Sequence, residues 1–194
     1  MSKVTVLIRT IGRDTLIHAI ESAKREFINV IVVADRIDLD TAPLPEDVLY
    51  LKCDETIDSY GGAAINLGVQ HCETEYLCLL DDDDEYDLGA GEFVDSKITE
   101  SPEIDIWIPA LRYNDGGIAC MDPGVVRGSI AVPTYKTEVL RQIPFLENMS
   151  PEPAYTDFYH VSTAVNVGHT IDWYGKDIYL VRPKKHGRHG MGIK

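Results

Sequence analysis

Near-continuous apolar runs of strand length alternate with segments of helical period along the first 86 residues. Lys3 to Arg9, with Val4-Thr5-Val6-Leu7-Ile8 at its centre, and Asn29-Val30-Ile31-Val32-Val33-Ala34 read as strands. Without polar alternation, such runs suit strands buried on both faces of a parallel sheet. Between them Leu16, Ile20, Ala23 and Phe27 share one helical face, with Asp14 as the candidate N-cap. Strand, helix and strand in that order predict a right-handed parallel unit. A loop from Asp38 to Asp47 holds Pro43 and Pro45, and Val48-Leu49-Tyr50-Leu51 follows as a short third strand. Gly61-Gly62 opens a second helix whose apolar face is Ile65, Val69, Cys72 and Tyr76. The run Tyr76-Leu77-Cys78-Leu79-Leu80 then stops abruptly in the acids Asp81-Asp82-Asp83-Asp84-Glu85.

Those acids change the picture most. A buried parallel strand would deliver them to the C-terminal edge of the sheet, where open α/β sheets bind ligands. Carboxylates crowded there repel one another unless a cation sits among them, and oxygen-only ligands favour Mg²⁺ or Mn²⁺. The alternative, a solvated acidic turn, loses ground because the acids follow directly on a buried strand. The two glycines before the second helix let the backbone approach something closely, at a helix end that favours negative charge.

The second half is patterned less clearly. Ile104 to Pro109 is an apolar strand that Trp107 ends or interrupts, and Gly128-Ser129-Ile130-Ala131-Val132 is a further strand. Glu138-Val139-Leu140-Arg141 lies in a helix, and Phe158, Val161 and Val165 form the apolar face of another. Ile178-Tyr179-Leu180-Val181 is the last strand. Trp107, Trp173, Tyr155 and Tyr159 are candidates for a stacking surface, although aromatic residues so placed more often build cores.

Composition sets the outer bounds. The chain has 194 residues, enough for one well-cored domain, and a formal net charge of −14. That charge argues against bulk nucleic-acid binding. It is unevenly spread: residues 182–194 carry Arg182, Lys184, Lys185, Arg188 and Lys194 with no acid, leaving −19 on residues 1–181. Cys53, Cys72, Cys78 and Cys120 show no metal-like spacing. No apolar run approaches the roughly 20 residues of a membrane span, and no signal-peptide pattern opens the chain. A cytoplasmic protein is the expectation. The first strand leads into Thr10-Ile11-Gly12-Arg13 rather than G-x-G-x-x-G, which excludes a Rossmann dehydrogenase. The glycine-rich basic loop of a sugar-phosphate nucleotidyltransferase is absent too.

Four stretches, in order and at fitting spacing over residues 4–86, resemble the motifs of family 2 glycosyltransferases with the GT-A fold. They are Val6 to Arg13, Val30 to Asp35, Gly61-Gly62-Ala63-Ala64-Ile65-Asn66-Leu67-Gly68, and Leu79-Leu80-Asp81-Asp82-Asp83-Asp84. The resemblance implies an α/β fold, a three-layer α/β/α sandwich with a mostly parallel sheet. Residues 1–86 would be the nucleotide-sugar half, 87–181 the acceptor-side half and 182–194 a basic tail. It implies a metal-dependent, inverting transfer of a sugar from a nucleoside diphosphate, UDP-sugar favoured, to an acceptor hydroxyl.

By the same resemblance, Asp83 and Asp81 hold Mn²⁺ or Mg²⁺, with a histidine after the last strand as third ligand. His186 and His189 compete for that role, His186 lying nearer the strand end. Thr10, Arg13, Asp35, Gly62, Asn66, Asp81 and Asp82 would surround the donor, and Lys185 and Arg188 would suit its diphosphate. Asp157 occupies the place of the catalytic base, although Thr156 stands where the family has Glu; the alternative is that Asp157 only charges a helix start. The acceptor is left open among a glycan, a small molecule and a modified base. The rival reading is a GT-A-like protein that binds a nucleotide or glycan without turnover.

Overall fold

A computed structural model describes residues 3–41, 44–54, 61–113, 115–119, 133–146 and 156–181, with Thr156, Asp157 and Phe158 described as backbone only. Its first half follows the apolar pattern: β1 (Val4–Thr10), α1 (Leu16–Glu26), β2 (Asn29–Asp35), β3 (Leu49–Cys53), α2 (Gly62–His71) and β4 (Tyr76–Asp81). Strands β3, β2, β1 and β4 lie side by side in that order, all parallel. β1 and β4 are buried on both faces, as their sequences require. The chain moves from β1 outward to β2 and β3, then returns past them to β4. With right-handed crossovers, that reversal puts α1 and α2 on opposite faces. Accordingly α1 packs against α3 (Ala90–Glu100), and α2 against α4 (Thr137–Gln142).

Beyond β4 the sheet is mixed rather than mostly parallel. β8 (Thr134–Lys136) runs antiparallel to β4 and to β6 (Ile106–Tyr113), while β9 (Ile171–Val181) runs parallel to β6. β5 (Glu85–Tyr86) pairs antiparallel with β9, and β7 (Ile118–Ala119) with β6. The α/β architecture holds, and its edge curls where β5 turns back from β4 to meet β9.

Local departures from the expected pattern have physical causes. Thr15, not Asp14, takes the N-cap position of α1, with no side-chain cap, because Leu16 N–H reaches Arg13 O at 3.1 Å in a turn at the end of the loop. Tyr76 is not on the α2 face. The helix ends at His71, and Thr74 Oγ1 donates to Tyr76 O at 2.8 Å in the turn that starts β4. Pro109 does not end its strand. Register shifts on both sides of Ala110 make a bulge in β6 against β9, where a residue lacking an N–H is tolerated. Trp107 is core, stacked on Tyr174 with centroids 5.1 Å apart. α5 (Thr156–Asn166) buries His160, Val161 and Ala164, whereas Val165 is exposed. The strand expected at Gly128–Val132 lies outside the described residues. Cys53, Cys72 and Cys78 are buried, and burial pushes the Cys78 thiol up to about 12, so it serves as a small core residue. No helix among the described residues is long and apolar enough to cross a membrane.

Candidate functional site

The sheet order reverses between β1 and β4, and the crevice at their C-terminal ends is where such sheets take ligands. Thr10 ends β1, Asp35 ends β2, and Asp81 ends β4, so three expected residues arrive at one edge by topology alone. Past Asp81 the chain turns at once, with Asp84 N–H donating to Asp81 O at 3.2 Å. That turn divides the acids into two sets.

Asp82 points back into the protein and is almost wholly buried. Its Oδ2 accepts from Thr10 Oγ1 at 2.6 Å and from Ile11 N–H at 3.2 Å, and its Oδ1 pairs with Arg13 Nη1. Thr10 Oγ1 in turn accepts from Gly12 N–H at 2.9 Å. One carboxylate thus shapes the whole β1–α1 loop. Burial alone would lower the pKa of Arg13, but Asp82, with Asp83 and Asp81 behind it, raises it.

Asp81, Asp83 and Asp84 form the other set. Each offers one carboxylate oxygen, and the three oxygens lie within 4.8 Å of one another. Asp83 and Asp84 are both 5% exposed. Gathering three carboxylates, two of them buried, is unfavourable without countercharge; Arg9 beside Asp81 and Arg13 near Asp83 supply part of it, and an oxygen-only set of this size suits a hard divalent cation. The residues present therefore fit a metal. Sequence reasoning expected Asp83 and Asp81 and missed Asp84, which in a run of four identical acids carries no mark of its own. His186, His189, Lys185 and Arg188 lie outside the described residues.

Tyr179, on β9, was also missed as a site residue. It is 1% exposed, its hydroxyl donates to Asp84 Oδ2 at 2.9 Å, and it accepts from Asp81 N–H at 3.2 Å. Burial, followed by the charges of Asp84 and Asp81, pushes the phenol well above its ordinary pKa, so it stays protonated as a donor. Tyr179→Phe removes both bonds while keeping the ring. Residues that orient metal ligands typically contribute 10–100-fold to affinity, so if the acids hold a divalent ion this variant should bind it about tenfold more weakly in a calorimetric titration.

Gly62 and Asn66 have a different placement from the rest. Asn66 Nδ2 donates to Phe145 O at 2.9 Å, and Phe145 N–H donates to Asn66 Oδ1 at 2.8 Å. A Cβ on Gly62 would lie 2.9 Å from Leu146 O. The close backbone approach that the glycine allows is taken by residues 145–146. Phe145 stacks in turn on His160 of α5, with centroids 4.1 Å apart, and His160 Nε2 lies 2.6 Å from Ile143 O. A carbonyl can only accept, so Nε2 carries a proton. Desolvation lowers the pKa of His160, which favours the neutral ring, and the bond to Ile143 O works the other way. The α2 motif thereby ties the first half of the chain to α5, whose first turn contains Asp157. Asp35 is buried beside Arg36, whose Nε donates to Asp35 Oδ1 at 3.0 Å.

Fold and site together define an α/β architecture with a mixed sheet and a carboxylate cluster at its switch point. Among solved structures that share the fold is S. aureus TarS 1-349, with a TM-score of 0.72 and 16% identity, over 92% of this chain and 60% of that one. The same TarS fragment in complex with UDP-GlcNAc matches at a TM-score of 0.69 and 16% identity, over 97% of this chain and 59% of that one. Its UDP complex matches at a TM-score of 0.69 and 15% identity, over 92% and 60%. The chain thus spans about 60% of the length of these neighbours. No protein-family model and no curated protein matches the chain.

Proposed function

We propose that this chain is a metal-dependent glycosyltransferase that moves a sugar from a nucleoside-diphosphate sugar, UDP-sugar favoured, to an acceptor hydroxyl with inversion. The convergence of Asp81, Asp83 and Asp84 at the β1–β4 switch point carries this reading. It is supported by the likeness in fold to TarS, which is solved with UDP and with UDP-GlcNAc.

Asp81, Asp83 and Asp84 would hold Mn²⁺ or Mg²⁺, which supplies Lewis-acid stabilisation of the departing diphosphate. The Thr10–Arg13 loop, shaped by Asp82, and Asp35 at the end of β2 would flank the nucleoside. Asp157 would take the proton of the acceptor hydroxyl, entering from the first turn of α5, where the helix dipole keeps a carboxylate ionised. As the anomeric C–O bond to the diphosphate breaks, the acceptor oxygen bonds to that carbon through an oxocarbenium-like transition state. Lys185 and Arg188 would add positive charge near the diphosphate, and His186 is a candidate further ligand.

Calorimetric titration with UDP, GDP, TDP and CDP, each with and without Mn²⁺, tests the reading. One diphosphate should bind tightly with metal, and that binding should vanish without metal and in Asp83→Ala. If none binds even with metal, the acids are a charged turn and the reading falls. With the nucleotide known, hydrolysis of its UDP-sugar analogues in Asp157→Asn separates enzyme from binder. An enzyme loses 10²–10⁴-fold in rate, and a protein that only binds shows no metal-dependent hydrolysis in either form.

A further inference from the structure

We propose that Arg9 is a diphosphate-binding residue that exchanges the Asp81 carboxylate for a phosphate oxygen, and so couples metal binding to nucleotide binding. The proposal rests on the reading above, that Asp81, Asp83 and Asp84 take a divalent cation beside a nucleoside diphosphate. Arg9 is the charged residue next to last in a strand that from Val4 to Ile8 is apolar but for Thr5. The register of β1 and β4 sets it directly beside Asp81 on the adjacent strand. Its Nε donates to Asp81 Oδ1 at 2.8 Å, and both side chains are 28% exposed, open to the crevice rather than sealed in the core.

The chain makes room for this guanidinium at a second place. Gly61, at φ 85°, lies under the Arg9 side chain, where a Cβ would come within 2.8 Å of Cδ and 3.0 Å of Nη1. The side chain is therefore laid across the residue that precedes α2, at the edge of the crevice.

Arg9 and Arg13 differ in what holds them. Arg13 pairs closely with Asp82, which is turned into the protein and belongs to the loop, and its Nη1 lies 3.9 Å from Asp83 Oδ1. Arg9 pairs with Asp81, whose carboxylate also belongs to the converging set. A guanidinium and a divalent cation thus draw on one carboxylate. They repel each other at that range, so Arg9 weakens binding of the bare ion. A diphosphate reverses the sign. It brings negative charge to both, and the planar guanidinium fork matches phosphate oxygens better than one carboxylate oxygen. Metal and nucleotide then help each other bind, by the same factor in each direction.

The test is Arg9→Gln, which keeps an N–H to offer Asp81 and removes the charge. Calorimetry with Mn²⁺ alone should show binding about tenfold tighter than in the parent, whereas UDP at saturating Mn²⁺ should bind about tenfold more weakly, the size of one charge-assisted contact. Arg9→Lys, which keeps the charge but not the fork, should leave Mn²⁺ binding near the parental value and still weaken UDP. Loss of both affinities in Arg9→Gln means that Arg9 only orients Asp81, and no change in either means an idle ion pair; each result overturns the exchange. A parent protein that binds neither Mn²⁺ nor UDP overturns the donor-site reading itself. A parent that binds both with an unaltered variant overturns the role of Arg9 alone.

Discussion

An Asp82→Ala protein unfolds at a clearly lower urea concentration than its parent, losing about 3 kcal/mol, and under the function proposed above no longer binds a nucleotide. The estimate comes from what the carboxylate leaves behind. Thr10 Oγ1, Ile11 N–H and the Arg13 guanidinium all converge on it, and Thr10 is itself 1% exposed. Deleting a buried acceptor strands its donors, and an unsatisfied buried donor costs about 1–3 kcal/mol. Arg13, about one-third exposed, regains water and limits the loss. Asp82→Asn is the milder change. Its amide oxygen still accepts from Thr10 and Ile11, but its NH₂ faces the guanidinium, donor against donor. A urea titration with an unchanged slope and a lower midpoint for Ala than for Asn is the expected outcome. A loss below about 1 kcal/mol in Asp82→Ala, within the range of an ordinary surface change, would mean that the β1–α1 loop is held by other contacts.

Asp82 also shows where the sequence stopped being legible. The strands and helices of the first half could be read because β1, β2 and β4 are near-continuous apolar runs and α1 repeats Leu16, Ile20 and Ala23 on one face. Arrival of the acids at a sheet edge followed from strand direction alone. Their division did not. Four consecutive aspartates are chemically identical in sequence, and only the turn closed by Asp84 N–H and Asp81 O sends Asp82 inward while gathering the other three. Tyr179 is 95 residues from Asp84, and only the antiparallel pairing of β5 with β9 brings its strand to the acids. β9 was seen only from Ile178 because Gly175, Lys176 and Asp177 interrupt its pattern, opposite the bulge in β6. α3 was overlooked although Ala90, Val94 and Ile98 recur four apart and are all buried. Gly62 and Asn66 looked like ligand-facing residues because their spacing was informative but their partner, Phe145, is distant in sequence.

Gly91→Ala is the other substitution with a large expected effect, a loss of about 3 kcal/mol, at the upper end of what overpacking costs. A Cβ at this position would lie 2.0 Å from Glu26 O and 2.9 Å from Glu26 C. Both obstacles are backbone at the end of α1, so no side-chain rotation relieves the clash, and α1 and α3 must part. The seam is tied to the site through a short path. Glu26 Oε2 accepts from Gly91 N–H at 3.3 Å, and the neighbouring Arg25 Nη2 donates to Tyr86 O at 2.6 Å. Ser22 Oγ accepts from Tyr86 N–H at 3.2 Å, and Phe27 packs edge-on against the Tyr86 ring with centroids 5.0 Å apart. Tyr86 packs in turn against Tyr179 at 5.7 Å, and Tyr179 sets Asp84 and Asp81. Shifting α1 therefore loosens β5 and the hydroxyl that orients the acids, so Mn²⁺ affinity should fall together with stability. Gly89→Ala is the control, because φ is 79° there but nothing lies within 4 Å of an added Cβ. It carries only the left-handed backbone penalty, about 1 kcal/mol, and should leave Mn²⁺ binding intact. If Gly91→Ala is no worse than Gly89→Ala in urea and binds Mn²⁺ equally well, the helix seam yields easily and the aromatic path from Phe27 to Tyr179 does not position the acids.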